Sequence, residues 1–143
     1  MADSPQAQRL RRRLQAIPRD VRKAVQPALV QNANELADMM RRLAPDDPAT
    51  DAPDLKTSIA VTLPGNATPA YSQPGGSRVA GELEAIVTAG DHVVRYAHLQ
   101  EYGTAHAPAQ PFFWPAVRLL QKRLKSRTKR AIAKAVRDSA RKP

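Results

Sequence analysis

The chain has 143 residues, a net charge of +10 and no cysteine. This length suits one domain with a modest core, and the lack of cysteine excludes disulfides, thiolate metal sites and thiol nucleophiles. No apolar run approaches the roughly 20 residues that span a bilayer, and arginines stand where a signal peptide needs its apolar segment. We therefore expect a single domain over residues 1–143, made in the cytoplasm and not inserted into a membrane.

The charge is divided into three blocks along the chain. Residues 1–44 contain nine lysines and arginines and four acidic residues (+5). Residues 45–112 contain three basic and eight acidic residues (−5), and residues 113–143 contain eleven basic residues and one acidic residue (+10). A chain with opposite charge blocks can bind copies of itself or bind nucleic acid. Charge alone does not decide between these two partners.

The first predicted element is a long amphipathic helix over residues 18–44. Pro18 suits its first position, and Pro45 marks its end. Pro27 predicts a kink or a helix broken in two, and residues 9–15 could add a preceding helical turn. One apolar stripe at helical spacing supports the prediction: Val21, Val25, Leu29, Leu36, Met40 and Leu43.

The middle of the chain predicts three short strands. Residues 55–63 alternate between apolar and polar side chains, and residues 82–89 and 92–96 read as the second and third strands, joined by a turn at Gly90 and Asp91. Residues 97–102 fit either a continued strand or one helical turn.

Two segments of the middle read as loops. Residues 44–54 are dense in proline and aspartate, and residues 64–81 are rich in proline, glycine and serine. The second segment predicts a long flexible loop, which in a small domain is usually functional or disordered.

The last predicted element is a long basic helix over residues 113–140. Its apolar stripe consists of Phe113, Val117, Leu120, Leu124, Ala131 and Ala135, with Thr128 in the gap. The order of elements predicts an α+β fold in which a small antiparallel sheet is packed by the N-terminal helix, kinked near Pro27, and by the basic C-terminal helix.

No pattern in the chain indicates catalysis, a metal or a cofactor. His92, His98 and His106 are six and eight residues apart, which matches no common ligand spacing. The aspartates of 46–54 lack the glycine and closing glutamate of a calcium loop, and the glycines near residue 75 lack the ending of a phosphate loop. We expect a protein that is not an enzyme and that takes no cofactor.

The most informative stretch is residues 96–116, YAHLQEYGTAHAPAQPFFWPA. It resembles the signature of the HK97 gp10-like family of phage head–tail joining proteins, which has a Tyr-Ala pair, an acidic-aromatic-Gly-Thr block, Pro-Ala-Gln-Pro-Phe, and Pro-Ala opening a basic helix. A helix beginning IPRDVRKAV and a strand LKTSI resemble the first half of the family. The candidate signature and interface residues are Tyr96, Glu101, Tyr102, Gly103, Thr104, Pro108, Gln110, Pro111, Phe112, Trp114 and Pro115.

This block is also physically reasonable by itself. Gly103 permits a backbone with positive φ after a strand or turn. Pro115 is tolerated in the first turn of a helix. Phe112 and Phe113, with Trp114, are three of the six aromatic residues, so we expect at least one to anchor the last helix on the sheet and another to be available to a partner.

The resemblance implies a structural protein of the virion neck. It would form a homo-oligomeric ring, with a hexamer favoured, between a head-completion or connector protein and the tail tube or tail terminator protein, with DNA passing through the lumen without sequence-specific contact. Two alternatives stay open: a tail-terminator ring that caps the tail tube, and a sequence-independent DNA-binding accessory protein whose basic helix contacts phosphates.

Overall fold

The computed structural model describes residues 4–15, 19–45, 55–73, 77–94, 97–106 and 108–141. Within these residues, helices and a small antiparallel sheet confirm the α+β class. The elements, in chain order, are α1 (Pro5–Gln15), α2 (Arg19–Leu43), β1 (Ala60–Thr62), β2 (Ile86–Thr88), α3 (Ala97–Tyr102) and α4 (Phe113–Arg141).

The N-terminal part forms two helices. The helical turn expected at residues 9–15 is part of α1, whose start is capped by Ser4, since the Ala7 amide donates to Ser4 Oγ at 3.2 Å. Helix α2 continues through Pro27 as one element, so the alternative of two separate helices is wrong, whereas the kink near Pro27 stays a prediction. Pro27 leaves the carbonyl of Lys23 without its helical donor, but both residues are exposed and water can replace that bond. Pro18 lies outside the described residues.

Helices α2 and α4 form the main packing unit, and α2 also contacts both strands. The larger core cluster lies between the helices and the sheet, whereas a smaller cluster joins the start of α2 to the end of α4. The buried residues of the larger cluster are Ala37, Met40, Ala44, Leu55, Ile59, Ala89, Val94, Ala97, Phe112, Phe113 and Ala116. Those of the smaller cluster are Val21, Val25 and Ala135.

The sheet is shorter than the sequence predicts. β1 pairs with β2 through Ala60–Thr88, Val61–Val87 and Thr62–Ile86, but the first half of the predicted strand 55–63 forms a turn. The Ser58 hydroxyl stabilises this turn by donating to the Leu55 carbonyl at 2.6 Å and accepting from the Gly90 amide at 3.0 Å. These bonds turn Ser58 inward, so the predicted alternation of faces fails.

The predicted third strand, residues 92–96, is not a strand where it is described. Asp91 Oδ1 accepts from the amides of Val93 and Val94 at 2.9 and 2.8 Å, and the Asp91 amide donates to the Val94 carbonyl at 3.0 Å. This side-chain turn replaces the ladder of a strand. The turn predicted at Gly90 and Asp91 is confirmed: Gly90 has a φ of 86°, and a Cβ there would lie 2.9 Å from the Val94 carbonyl oxygen.

Residues 64–81, called the arm below, carry backbone pairing that the loop prediction did not include. In its described parts, Gly65 donates to the Ala80 carbonyl at 3.0 Å and Thr68 to the Arg78 carbonyl at 2.8 Å. Gln73 and Ala89 exchange two further bonds, of 2.9 and 3.0 Å, beside β2. The predicted flexibility of the arm stays a prediction.

The acidic loop at residues 46–54 lies outside the described residues. In the part of the chain that is described, every helix is too short or too polar to span a bilayer.

Candidate interaction site at the start of the last helix

The structure brings most of the predicted signature residues together where α3 meets α4. Glu101 and Tyr102 end α3, and Gly103 follows it. Phe112 precedes α4, while Trp114 and Pro115 lie in its first turn. We call these six residues the α3–α4 junction.

The centre of the α3–α4 junction is the buried carboxylate of Glu101. Its Oε2 accepts from the amides of Phe112 and Phe113 at 2.8 and 2.9 Å, and its Oε1 accepts from the Trp114 amide at 3.1 Å. Only 8% of Glu101 is exposed, so these bonds replace the water that the carboxylate loses. Glu101 therefore caps α4 from a separate helix.

This cap satisfies the open donors of the first turn completely. The first amides of a helix have no partner within it, and their positive end favours an anion. Pro115 has no amide hydrogen, so Glu101 meets three donors where an ordinary first turn presents four. The resemblance selected Glu101, but its capping role was missed. The amides that it binds belong to the backbone, which is the same whatever the side chain, so the sequence does not mark them.

The aromatic residues of the α3–α4 junction, together with the adjacent Phe113, divide into buried and exposed members. Phe112 is 1% exposed and Phe113 is also buried, which confirms the predicted anchoring of α4 on the sheet. Trp114 stacks edge-on against Phe113 at a centroid distance of 5.0 Å, and its Nε1 donates to the Tyr102 hydroxyl at 2.8 Å. Tyr102 is 70% exposed, so one aromatic pair reaches the surface.

Gly103 has a φ of 77°, which confirms the predicted positive value. A glycine in this conformation commonly ends a helix, because a side chain there is strained. The following loop returns to α3, where the Gln110 amide donates to the Gln100 carbonyl at 2.7 Å. Gly103 thus allows the reversal that brings α4 back onto Glu101.

The other signature residues do not join the cap. Thr104 holds a local turn by accepting from the His106 amide at 3.2 Å, and Pro108, Gln110 and Pro111 are exposed along the approach to α4. Tyr96 lies outside the described residues. An open cavity of about 70 Å³ lies beside the junction, lined by Gln73, Ala89, Ala97 and by residues of the junction itself.

The histidines do not form a site in the described residues. His92 and His106 are exposed, and the side chain of His98 is not described. Among the described residues, no group of three or more histidine, aspartate or glutamate side chains is arranged to hold a metal ion.

A second polar feature, which sequence reasoning missed, joins α2 to α4. Buried Asn32 donates to the Leu124 carbonyl at 3.2 Å and to Thr128 Oγ1 at 2.9 Å. Arg127 donates to Asn32 Oδ1 at 3.0 Å and to Glu35 at 2.6 Å. Thr128 fills the gap in the apolar stripe of α4, as predicted, and its hydroxyl accepts the hydrogen bond from Asn32 of α2.

The arm is joined to α1 through Glu84. Arg78 donates to both carboxylate oxygens of Glu84, at 2.6 and 2.8 Å, and the Gly81 amide adds a bond of 3.1 Å. The hydrogen bond from Arg78 is the main reason that the pKa of Glu84 lies below its usual value, with Gly81 and Arg11 acting in the same direction. Arg11 of α1 lies 3.8 Å from the same carboxylate.

Comparison with known proteins places the chain in a family. Residues 8–103 match the family described as "Bacteriophage HK97-gp10, putative tail-component". That range begins within α1, includes α2 and α3 and ends at Gly103, so residues 104–112 and α4 lie beyond it. No curated protein and no solved structure matches the chain. Since the match covers well over half of the sequence, the chain belongs to the HK97 gp10-like family of phage tail components.

Proposed function

We propose that this protein forms a homo-oligomeric ring at the neck of a tailed phage and joins the DNA-filled head to the tail. Its family makes it a structural component associated with the phage tail and thus with the virion. The proposed ring, with six copies, binds a head-completion or connector protein on one rim and the tail tube or tail terminator protein on the other. Its work is geometric rather than catalytic.

The α3–α4 junction is the observation that supports this proposal best. It sets the direction of α4 with a buried carboxylate and presents Tyr102 and Trp114 at the surface, hydrogen-bonded to each other. Tyrosine and tryptophan are enriched in the centres of protein interfaces, because they offer large apolar area with a polar end. A rigid aromatic pair at the start of a long helix suits a repeated subunit contact.

The limited core supports the same proposal. The smaller cluster has three buried residues at the far end of the helix pair, and Leu119 and Val136 are exposed on α4. A neighbouring copy that covers such side chains would add burial that one chain does not provide. Head-to-tail contacts of this kind close into rings when the rotation between copies permits.

Electron microscopy and light scattering of the purified full chain test the proposal. We expect closed rings for the wild type and a loss of rings for Tyr102→Ala and Trp114→Ala, with unchanged circular dichroism. Val93→Ala, which trims an exposed apolar side chain outside the α3–α4 junction and outside α4, serves as the matched control and should still assemble. A wild type that stays monomeric at high concentration, together with virions that lack the protein at the neck, would reject the ring.

A phage that lacks the gene separates the neck ring from the tail-terminator alternative. Without a neck joiner, filled heads and tails of normal length should accumulate separately. Without a terminator, an uncapped tube can continue to add subunits, so tails of irregular excess length should appear.

A further inference from the structure

One side of α4 carries a straight row of positive charges. Arg118, Lys122, Lys125 and Lys129 follow each other at spacings of four, three and four residues, which places them on one side of the helix. All four are exposed. The row covers about 16 Å of helix at 1.5 Å per residue. We call these four residues the basic row.

The basic row is not part of the α2–α4 packing. The side chains of α4 that bind α2 are others, among them Arg127 and Thr128. Arg123 and Arg127 share the carboxylate of Glu35 at 2.9 and 2.6 Å. In the described residues, by contrast, no carboxylate lies within ion-pair distance of the basic row.

In residues 45–112, the negative block of the sequence, a second copy offers no described carboxylate that lacks a partner of its own. Of the eight acidic residues in the negative block, the four described ones are already engaged. Glu82 and Glu84 face Arg22 and Arg78, Asp91 holds its turn, and Glu101 caps α4. The other four, Asp46, Asp47, Asp51 and Asp54, lie outside the described residues.

We infer that the basic row binds the phosphate backbone of duplex DNA without reading its sequence. Duplex DNA carries about one negative charge per 1.7 Å, so about ten phosphates lie along the length of the row. Lysine suits this role as a point charge, and the row has no aromatic side chain to stack on a base. Placing the row on the lumen side rests on the ring proposed above, whereas the contact with DNA does not.

The test compares two triple variants of the full-length protein. K122Q/K125Q/K129Q removes three charges from the basic row. The matched control R130Q/K134Q/R137Q removes three exposed charges elsewhere on α4. Binding to two fluorescent duplexes of unrelated sequence is followed by anisotropy between about 50 and about 300 mM NaCl, and the assembly state of each variant is measured by sedimentation without DNA.

We expect the wild type to bind both duplexes equally, with strong dependence on salt. The row variant should lose at least about 30-fold in affinity at about 100 mM NaCl, and the slope of log K against log salt should fall by about 2.7, since each phosphate contact contributes about 0.9. The control should change the slope by less than half of that amount. Both variants should sediment as the wild type does.

Three results would overturn the inference. A wild type that does not bind DNA at about 50 mM NaCl would exclude duplex DNA as the partner of the basic row. Equal losses in both variants show a diffuse charge effect instead of a row. A row variant that no longer assembles, while the control does, assigns the row to a contact between copies of the chain. Sedimentation of the wild type reports on the ring separately, so a failed ring and a failed DNA contact are distinguishable.

Discussion

The two ends of α4 are held in different ways. At its start, Phe112 and Phe113 enter the larger core and Glu101 binds three backbone amides. Towards its end, Ala135 is the buried residue of α4 in a small cluster with Val21 and Val25 of α2. The position of the helix is thus fixed at the start, by burial and buried hydrogen bonds. Fewer side chains are buried towards the end of α4, so most positions there can carry charged side chains.

The largest expected effect is on the cap. Glu101→Ala leaves three amides without an acceptor, two of them at buried residues, and should reduce the free energy of unfolding by about 3 kcal/mol. Asp38→Ala removes a carboxylate whose ion pair with Arg41 is exposed, so its cost should stay below about 1 kcal/mol. Urea unfolding followed by circular dichroism measures both. Equal costs would mean that the start of α4 is not fixed by its cap.

Gly103→Val should affect assembly more than folding. A valine at a φ of 77° is strained by about 2 kcal/mol, and the strain changes the angle at which α4 leaves the junction. Because a ring repeats each angular error at every interface, the variant should fold but leave heads and tails unjoined when it replaces the wild-type gene. Gly65→Val is the control, because it places a valine at a similar φ, 84°, but in the arm. An added Cβ at Gly65 would meet no other atom within 4 Å. A normal titre from Gly103→Val would refute this prediction.

A smaller effect is expected from the polar contact between α2 and α4. Asn32→Ala removes the donor to Leu124 and Thr128 and the acceptor of Arg127, which should cost about 1.5 kcal/mol. Asn34→Ala changes the same residue type at an exposed position and should lie within about 0.5 kcal/mol of the wild type. If the two variants unfold at the same urea concentration, the hydrogen bonds of Asn32 do not stabilise the contact between α2 and α4.

The smallest effect concerns the attachment of the arm and depends on pH. The pKa of Glu84 is lowered in the folded state, so its contribution is fully present above the ordinary value of 4.5 and is lost as the pH falls through the folded pKa. The stability advantage of the wild type over Glu84→Gln should therefore be constant near neutral pH and shrink below about 4.5. Thermal unfolding of both proteins at several pH values measures this difference. An advantage that grows on acidification would contradict a lowered pKa of Glu84 in the folded state.

The helices were predictable because their signals lie within one segment. The apolar stripes of α2 and α4 repeat at helical spacing, and the first turn of α4 accepts Pro115. The sheet was less predictable, since the alternation at residues 55–63 resembles a strand although the Ser58 hydroxyl closes a turn there. Asp91 likewise ends the pairing after Gly90 by binding two amides. In both places a side chain competes with the backbone ladder.

Several residues of the α3–α4 junction were predictable from the sequence, but their arrangement was not. The resemblance selected Glu101, Tyr102 and Trp114, yet nothing in their spacing indicates that one carboxylate binds the start of the next helix. Asn32 and Arg127 were not selected, because a contact between residues 95 positions apart has no local pattern.

The closed cap also determines how α4 can approach a polyanion. The start of a helix usually attracts phosphate, because its free amides and its dipole both favour negative charge. Here Glu101 already occupies that position, and its own charge repels a second anion. If the basic row binds DNA as inferred above, the strand would meet positive charge along the side of α4 and not at its start. The helix is therefore suited to lie along a nucleic-acid backbone and unsuited to insert its start into a groove of the duplex.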